Sequence, residues 1–308
     1  MTTLGCTIHD MGVDAVDQFR RTVELADELG IGKGTVLKVM LRPTNDPSRL
    51  HGTTLADLSE CAEYAQALVE KGVTLYAAGV DQDVGRWIGR PSPWDSKMAL
   101  GQIALCLVMW NMMMEEALGV TFAYYEAACE PYSCKYMRYP TGGRADADWY
   151  HLRFAYYLER YGLTGRMAIS PASPVTSPDG DYKLWPAEVL EHATCASLHR
   201  YVNWYKKDAG GKDVRRDIPL EAALNGLDLQ YADKWAAIGV PTTIIGESGL
   251  NTWQPPLCWN AAQAFALIHT TVQAAKLGVD AVVWHGRLPM PDEDAGMLAV
   301  LQAWAQAR

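Results

Sequence analysis

Two glutamates carry the chemistry that this sequence offers. Glu130 closes the stretch AYYEAACEP (Ala123 to Pro131), and Glu247 lies within PTTIIGESGLNTW (Pro241 to Trp253). Each follows a run with strand composition, so each carboxylate is delivered at the C-terminal end of a strand. In a parallel barrel those ends converge on one face, where reactive groups gather. Facing carboxylates suit glycosidic bond hydrolysis: one protonates the leaving oxygen, and the other attacks the sugar or activates water. A gap of about 5–5.5 Å suits attack with retention, and about 6.5–9.5 Å suits inversion. The remaining strand ends contribute His9, Arg42, His199 with Tyr201, and Trp284 with His285.

The elements that must position these residues follow from a recurring pattern. A helical stretch ends in glycine, a β-branched residue follows, and an apolar strand begins, as in EKGVTLYAAGV, ALGVTFAYYEAACEP and KLGVDAVVWHGRL. Glycine is the usual helix C-cap, and β-branched runs favour strands. Eight strands are expected, near 3–9, 34–42, 73–80, 119–128, 165–171, 194–202, 241–247 and 279–285, separated by helical patterns such as VDAVDQFRRTVELADEL and closed by GMLAVLQAWAQAR. Eight alternating units in 308 residues predict an α/β fold, a single-domain (β/α)8 TIM barrel spanning 1–308, ahead of a doubly wound sheet.

Segments that lead into strands are short, whereas those that leave them are long and rich in proline, glycine and aromatics. The second set would form the reactive face. Trp87, Trp94, Tyr132, Tyr136, Tyr182, Trp185, Trp204, Tyr205 and Trp253 all fall there. Such rings can stack on sugars, or they can simply pack the loops down; sequence leaves both open.

YYEAACEP resembles the fourth-strand motif of the clan A glycoside hydrolases, which commonly runs Tyr-Trp-Glu-Ile-Trp-Asn-Glu-Pro. IIGESG is similar to their seventh-strand nucleophile motif, LHRY to the His-x-Tyr of strand six, and VVWHG to the strand-eight tryptophan segment. The resemblance covers the chain in order and singles out no family within the clan. It implies Glu130 as general acid/base and Glu247 as nucleophile, with Tyr201 hydrogen-bonded to Glu247. It also implies that His199, Arg42 and Trp284 shape the sugar subsite. Glu126, about 13 Å behind Glu130 on an ideal strand, would be a buried structural acid paired with Arg42. The chain departs from the family at Cys129, where asparagine normally binds the sugar 2-hydroxyl. A thiol is a poor substitute there, which points to an uncommon glycone such as a furanose, or to Cys129 as a small buried hydrophobe. Substrate contacts are thus expected from Arg42, Cys129, His199, Tyr201, Trp253, Trp284 and His285.

Composition removes other classes. A net charge of −9, spread along the chain, argues against nucleic acid. The apolar run Leu105–Met114 is shorter than a bilayer span and reads as a buried helix. Seven scattered cysteines suggest free thiols, and no spacing completes a metal set, so neither metal nor cofactor is expected. The N-terminus lacks a basic start and an apolar segment, which favours a cytoplasmic protein or one released by lysis or non-classical export. A Schiff-base aldolase would need a central-strand lysine; Lys38 is the candidate, without a nearby acid in sequence. GIGKG precedes a strand rather than following one, the wrong order for a phosphate loop. The expected partner is an oligo- or polysaccharide, and oligomeric state is open. The competing reading is an inactive barrel that binds glycans.

Overall fold

A computed structural model describes residues 2–10, 14–44, 52–78, 81–89, 96–128, 144–170, 185–226, 239–252, 260–286, 288–289 and 294–307. Eight parallel strands close into a barrel: β1 (Thr3–His9), β2 (Val36–Met40), β3 (Thr74–Ala77), β4 (Tyr125–Glu126), β5 (Met167–Ile169), β6 (Ala193–Val202), β9 (Thr242–Leu250) and β10 (Ala281–Trp284). Each lies beside its predecessor, and β10 pairs with β1 to leave no open edge. Between β6 and β9 an antiparallel hairpin, β7 (Tyr205–Lys207) and β8 (Asp213–Arg215), stands outside the barrel. All eight expected strands are present. The fourth is the most shortened, to two paired residues.

Outside run α1 (Ala15–Leu29), α2 (Leu55–Glu70), α3 (Asp81–Trp87), α4 (Lys97–Leu118), α5 (Arg144–Arg160), α6 (Ala187–Leu190), α7 (Leu220–Asn225), α8 (Ala261–Lys276) and α9 (Ala295–Gln306). Local chemistry sets their limits. The Asp14 carboxylate accepts from the Val16 and Asp17 amides at the start of α1, and Thr54 with Asp57 forms a reciprocal capping box on α2. Helices α1 and α4 end where Gly30 and Gly119 adopt φ of 62° and 64°, a left-handed cap that costs glycine least. At 22 residues, α4 extends beyond the apolar run read from sequence and is long and apolar enough to cross a bilayer. Here its Leu100, Ile103, Leu107, Trp110, Met114 and Leu118 face is buried in the protein.

Alternation along the strands divides the apolar residues into two sets. Cys6, Ile8, Leu37, Val39, Leu75, Met167, Ile169, Leu198, Ile245 and Val282 point outward and pack with the helices. Val36, Tyr76, Ala168, Cys195, Ile244, Ala281 and Val283 fill the barrel interior, with the half-buried Tyr124 against them. A chamber of about 570 Å³ remains along the outer face of β1, between α1 and α9.

One outer-layer group makes stability depend on pH. His151 of α5 is fully buried, its Nδ1 is 2.7 Å from the Ala147 carbonyl, and its ring centroid is 4.2 Å from that of Trp185. Burial pushes it down from 6.5 to about 4. A histidine buried neutral leaves the unfolded chain to bind the proton first, so its contribution is intact above pH 6.5 and declines as pH falls toward 4. The full loss is about 3 kcal/mol. Unfolding in denaturant should show stability falling between pH 7 and 5, and His151→Phe should flatten that dependence.

Candidate active site

The site is built from inward-facing positions. On β6 the inward set continues from Cys195 through Ser197 and His199 to Tyr201, on β2 from Val36 to Lys38, and on β4 from Tyr124 to Glu126. Strict alternation on β9 would turn Glu247 outward, since Ile244 points in and Ile245 out. The register instead slips by one residue on both sides of the strand: Leu198 pairs with Ile245 but His199 with Glu247, and Val282 with Ile245 but Trp284 with Ser248. The extra residue is Gly246. A bulge of this kind re-aims the following side chain, and Glu247 is returned to the interior.

Gly246 is required there by space. A Cβ at that position would lie 1.9 Å from Ser197 Oγ and 2.8 Å from the Tyr76 hydroxyl. Backbone and side chains thus meet closely beneath the carboxylate.

Glu247 is almost fully enclosed and has a partner on each oxygen. Lys38 Nζ donates to Oε1 at 3.0 Å, and the Tyr201 hydroxyl donates to Oε2 at 2.9 Å. His199 Nδ1 lies 3.4 Å from Oε2, with its Nε2 3.3 Å from Ser170 Oγ. His285 Nδ1 lies 3.7 Å from Oε1 and 3.3 Å from Thr7 Oγ1. The His9 ring stands 6.1 Å from that of His285. Burial alone would raise the Glu247 carboxyl, but the surrounding His199, His285 and Lys38 bring it well below the ordinary carboxylate range. Burial pushes His285 itself down to about 4 against the pull of Glu247, and the Lys38 ammonium is in direct contact with the carboxylate.

The structure rearranges several sequence expectations. Glu126 is buried as expected, but its partner is Lys38, at 3.6 Å, rather than Arg42. Arg42 turns to Asp10: its amide donates to Asp10 Oδ2 at 2.8 Å, and its Nε is 3.4 Å from Oδ1. Lys38 therefore does have supporting acids; they come from β4 and β9, not from its own stretch. Trp284 does not face the mouth. Ala281, Val283 and His285 share the inward side of β10, so Trp284 points outward and lines the chamber with Cys6, Leu301 and Trp304. His285 takes the inward place. Of the mouth aromatics, Trp185 and Tyr205 are buried packing residues, Trp204 packs half-buried beside Tyr205, and Trp87 stacks near Trp110 with centroids 5.8 Å apart. Glu130, Cys129 and Trp253 lie outside the described residues, as do Trp94, Tyr132, Tyr136 and Tyr182.

Beside the mouth, the β7–β8 hairpin is bound to the end of β9. The Asn251 side chain accepts from the Trp204 and Tyr205 amides and donates to Asn203 Oδ1 and the Tyr205 carbonyl, at 2.7–2.9 Å. Thr252 Oγ1 donates to Asp213 Oδ2 at 3.0 Å.

No protein-family model matches the chain, and no curated protein matches it. Solved structures do. It is similar to an exo-β-1,4-mannosidase from Opitutaceae bacterium strain TAV5 at 13% identity and a TM-score of 0.60, covering 99% of this chain and 59% of that one. A GH5-4 broad specificity endoglucanase from Clostridium longisporum matches at 14% and 0.59, covering 99% and 96%. A family 1 β-glucosidase from Thermotoga maritima matches at 12% and 0.53, covering 92% and 87%. The chain thus spans less than two thirds of the mannosidase's length. At these identities the likeness is one of fold: the chain shares the closed (β/α)8 barrel of these glycoside hydrolases.

The bulge predicts a specific sensitivity. Gly246→Ala should destabilise by about 1–3 kcal/mol through overpacking against Ser197 and Tyr76, and Ser197→Ala in the same chain should recover part of the loss. Denaturant unfolding of the single and double variants measures both.

Proposed function

We propose that the chain is a retaining glycoside hydrolase acting on an oligo- or polysaccharide, with Glu247 as nucleophile and Glu130 as general acid/base. The observation that carries this reading is Glu247 itself, turned into the barrel by a bulge and held ionised by Lys38 and Tyr201 at the C-terminal end of its strand. A nucleophilic carboxylate must be charged before it attacks, and this environment keeps it so at any pH near neutrality. Glu130 follows Glu126 by four residues in the sequence, and the resemblance of YYEAACEP to the fourth-strand motif gives it the acid/base role.

In the first step a Glu247 oxygen bonds to the anomeric carbon as the bond to the leaving oxygen breaks, and that oxygen takes the Glu130 proton. In the second, water gives a proton to Glu130 and its oxygen displaces Glu247, which leaves as the carboxylate. Configuration is retained because the carbon is inverted twice. The named glucosidase and mannosidase neighbours act on β-linked glycosides, which supports a β-linked substrate here.

Hydrolysis of a glycan panel that includes β-linked hexopyranosides and furanose polymers tests the reading. The wild type should cleave at least one glycan, with the first-formed product in the substrate's anomeric configuration by proton NMR. Glu130→Gln and Glu247→Gln should each lose at least about 100-fold in kcat/KM. Glycan binding without cleavage would favour the inactive-barrel reading, to which the thiol at Cys129 lends support.

A further inference from the structure

The interior of β2 holds a charge that the carboxylate-pair mechanism does not require. Lys38 is completely buried, and its ammonium lies between carboxylates from two other strands: 3.0 Å from Glu247 Oε1 and 3.6 Å from Glu126 Oε1. Glu126 is equally enclosed, and neither of its oxygens accepts a hydrogen bond among the described residues. Burying two carboxylates close together without a cation would force one of them to take a proton. Taking a proton on Glu247 would remove the nucleophile.

We propose that Lys38 is a positioning residue that serves Glu126 and Glu247 as a common counter-ion, holding Glu247 oriented and ionised while Glu126 anchors the ammonium from below. Glu126 is the lower clamp of this device and not a second catalytic acid. The contact geometry supports an ordered division of labour: the shorter, hydrogen-bonded contact goes to Glu247, and the longer ionic contact goes to Glu126. A Schiff-base role is a poor fit to the same geometry, since an amine sealed between two acids is held as the ammonium and is closed to a carbonyl.

Among the described residues, the groups facing Glu247 are Lys38 from β2, Glu126 beyond it on β4, His199 and Tyr201 from β6, His285 after β10, and His9 at the end of β1. Of the histidines, burial lowers His9 and His285, while His199, 3.4 Å from Glu247 Oε2, acts with Lys38 in lowering the Glu247 carboxyl.

This inference rests on the nucleophile assignment for its functional meaning, but its test does not need turnover. Protein labelled with 13C at the glutamate side-chain carboxyl, with the Glu247 resonance assigned through Glu247→Gln, reports the protonation of that residue directly. In the wild type the Glu247 signal should remain that of a carboxylate to well below the ordinary glutamate range. Lys38→Met should raise its midpoint by about 1–3 units, the range for loss of an opposite charge in contact. Lys38→Met with Glu126→Gln should bring it partly back, because the competing anion is gone. That double variant carries no uncompensated Glu126 charge, so it serves where Lys38→Met alone does not accumulate, and its midpoint should still exceed that of the wild type.

If the glycan panel yields a substrate, the acidic limb of kcat/KM should move upward with the NMR midpoint. A purely structural lysine would lower stability without moving either. An unchanged Glu247 midpoint in Lys38→Met, or in the double variant where that is the protein obtained, overturns the counter-ion role even if the enzyme cleaves glycans. A raised midpoint in a protein that cleaves none retains the role and overturns the glycosidase reading.

Discussion

A carboxylate taken out of water must be matched by charge and hydrogen bonds, and Glu247 imposes that constraint on the whole interior of this barrel. Five strands answer it: β2 with Lys38, β6 with Tyr201 and His199, β10 with His285, β1 with Thr7 behind that histidine, and β4 with Glu126 behind the lysine. Elsewhere the interior is filled in the usual way, by Val36, Cys195, Ile244, Ala281 and Val283. The polar groups therefore form a cap over an apolar plug. In the proposed cycle the electrostatics also close: once Glu247 becomes an ester it carries no charge, and Lys38 with Glu126 remains as a neutral pair.

The sequence made the barrel legible because its strands are buried on both faces and its helices end in glycine. Periodicity and punctuation were enough to place all eight strands, including the short β4. It also exposed Glu247, Tyr201 and His199, because an acid or hydroxyl in an apolar strand demands an explanation. Their convergence is a matter of register. His199 and Glu247 become neighbours only through the one-residue slip at Gly246, and a bulge leaves no pattern beyond a glycine in a strand.

Parity accounts for the misplacement of Trp284 and for the overlooked Lys38. Trp284 and His285 are adjacent, so they cannot both face the mouth, and the inward series Ala281, Val283, His285 decides between them. The same rule applied to Val36 and Lys38 would have placed the lysine inside, where it must find an anion. Arg42 is farther along the same strand face, and there Asp10 claims it before Glu126 can. The loop aromatics show a different limit: Trp185 and Tyr205 are as aromatic as any sugar platform, but burial in local clusters is invisible to composition.

Asn251 has a consequence for how this mouth can change over evolutionary time. Its side chain makes four hydrogen bonds, all toward Asn203, Trp204 and Tyr205, and Thr252 adds a fifth toward Asp213. The hairpin is thus held at the tip of β9 by two consecutive residues, a few positions beyond the bulge, and by Tyr205, buried against Val202, Leu250 and Ala266. Such an attachment behaves as a socket. The stretch between β7 and β8 can be lengthened, recoloured with other side chains or exchanged as long as Asn251 and Thr252 keep their partners and Tyr205 keeps its packing. Diversification of that rim is thereby uncoupled from the strand that carries Glu247.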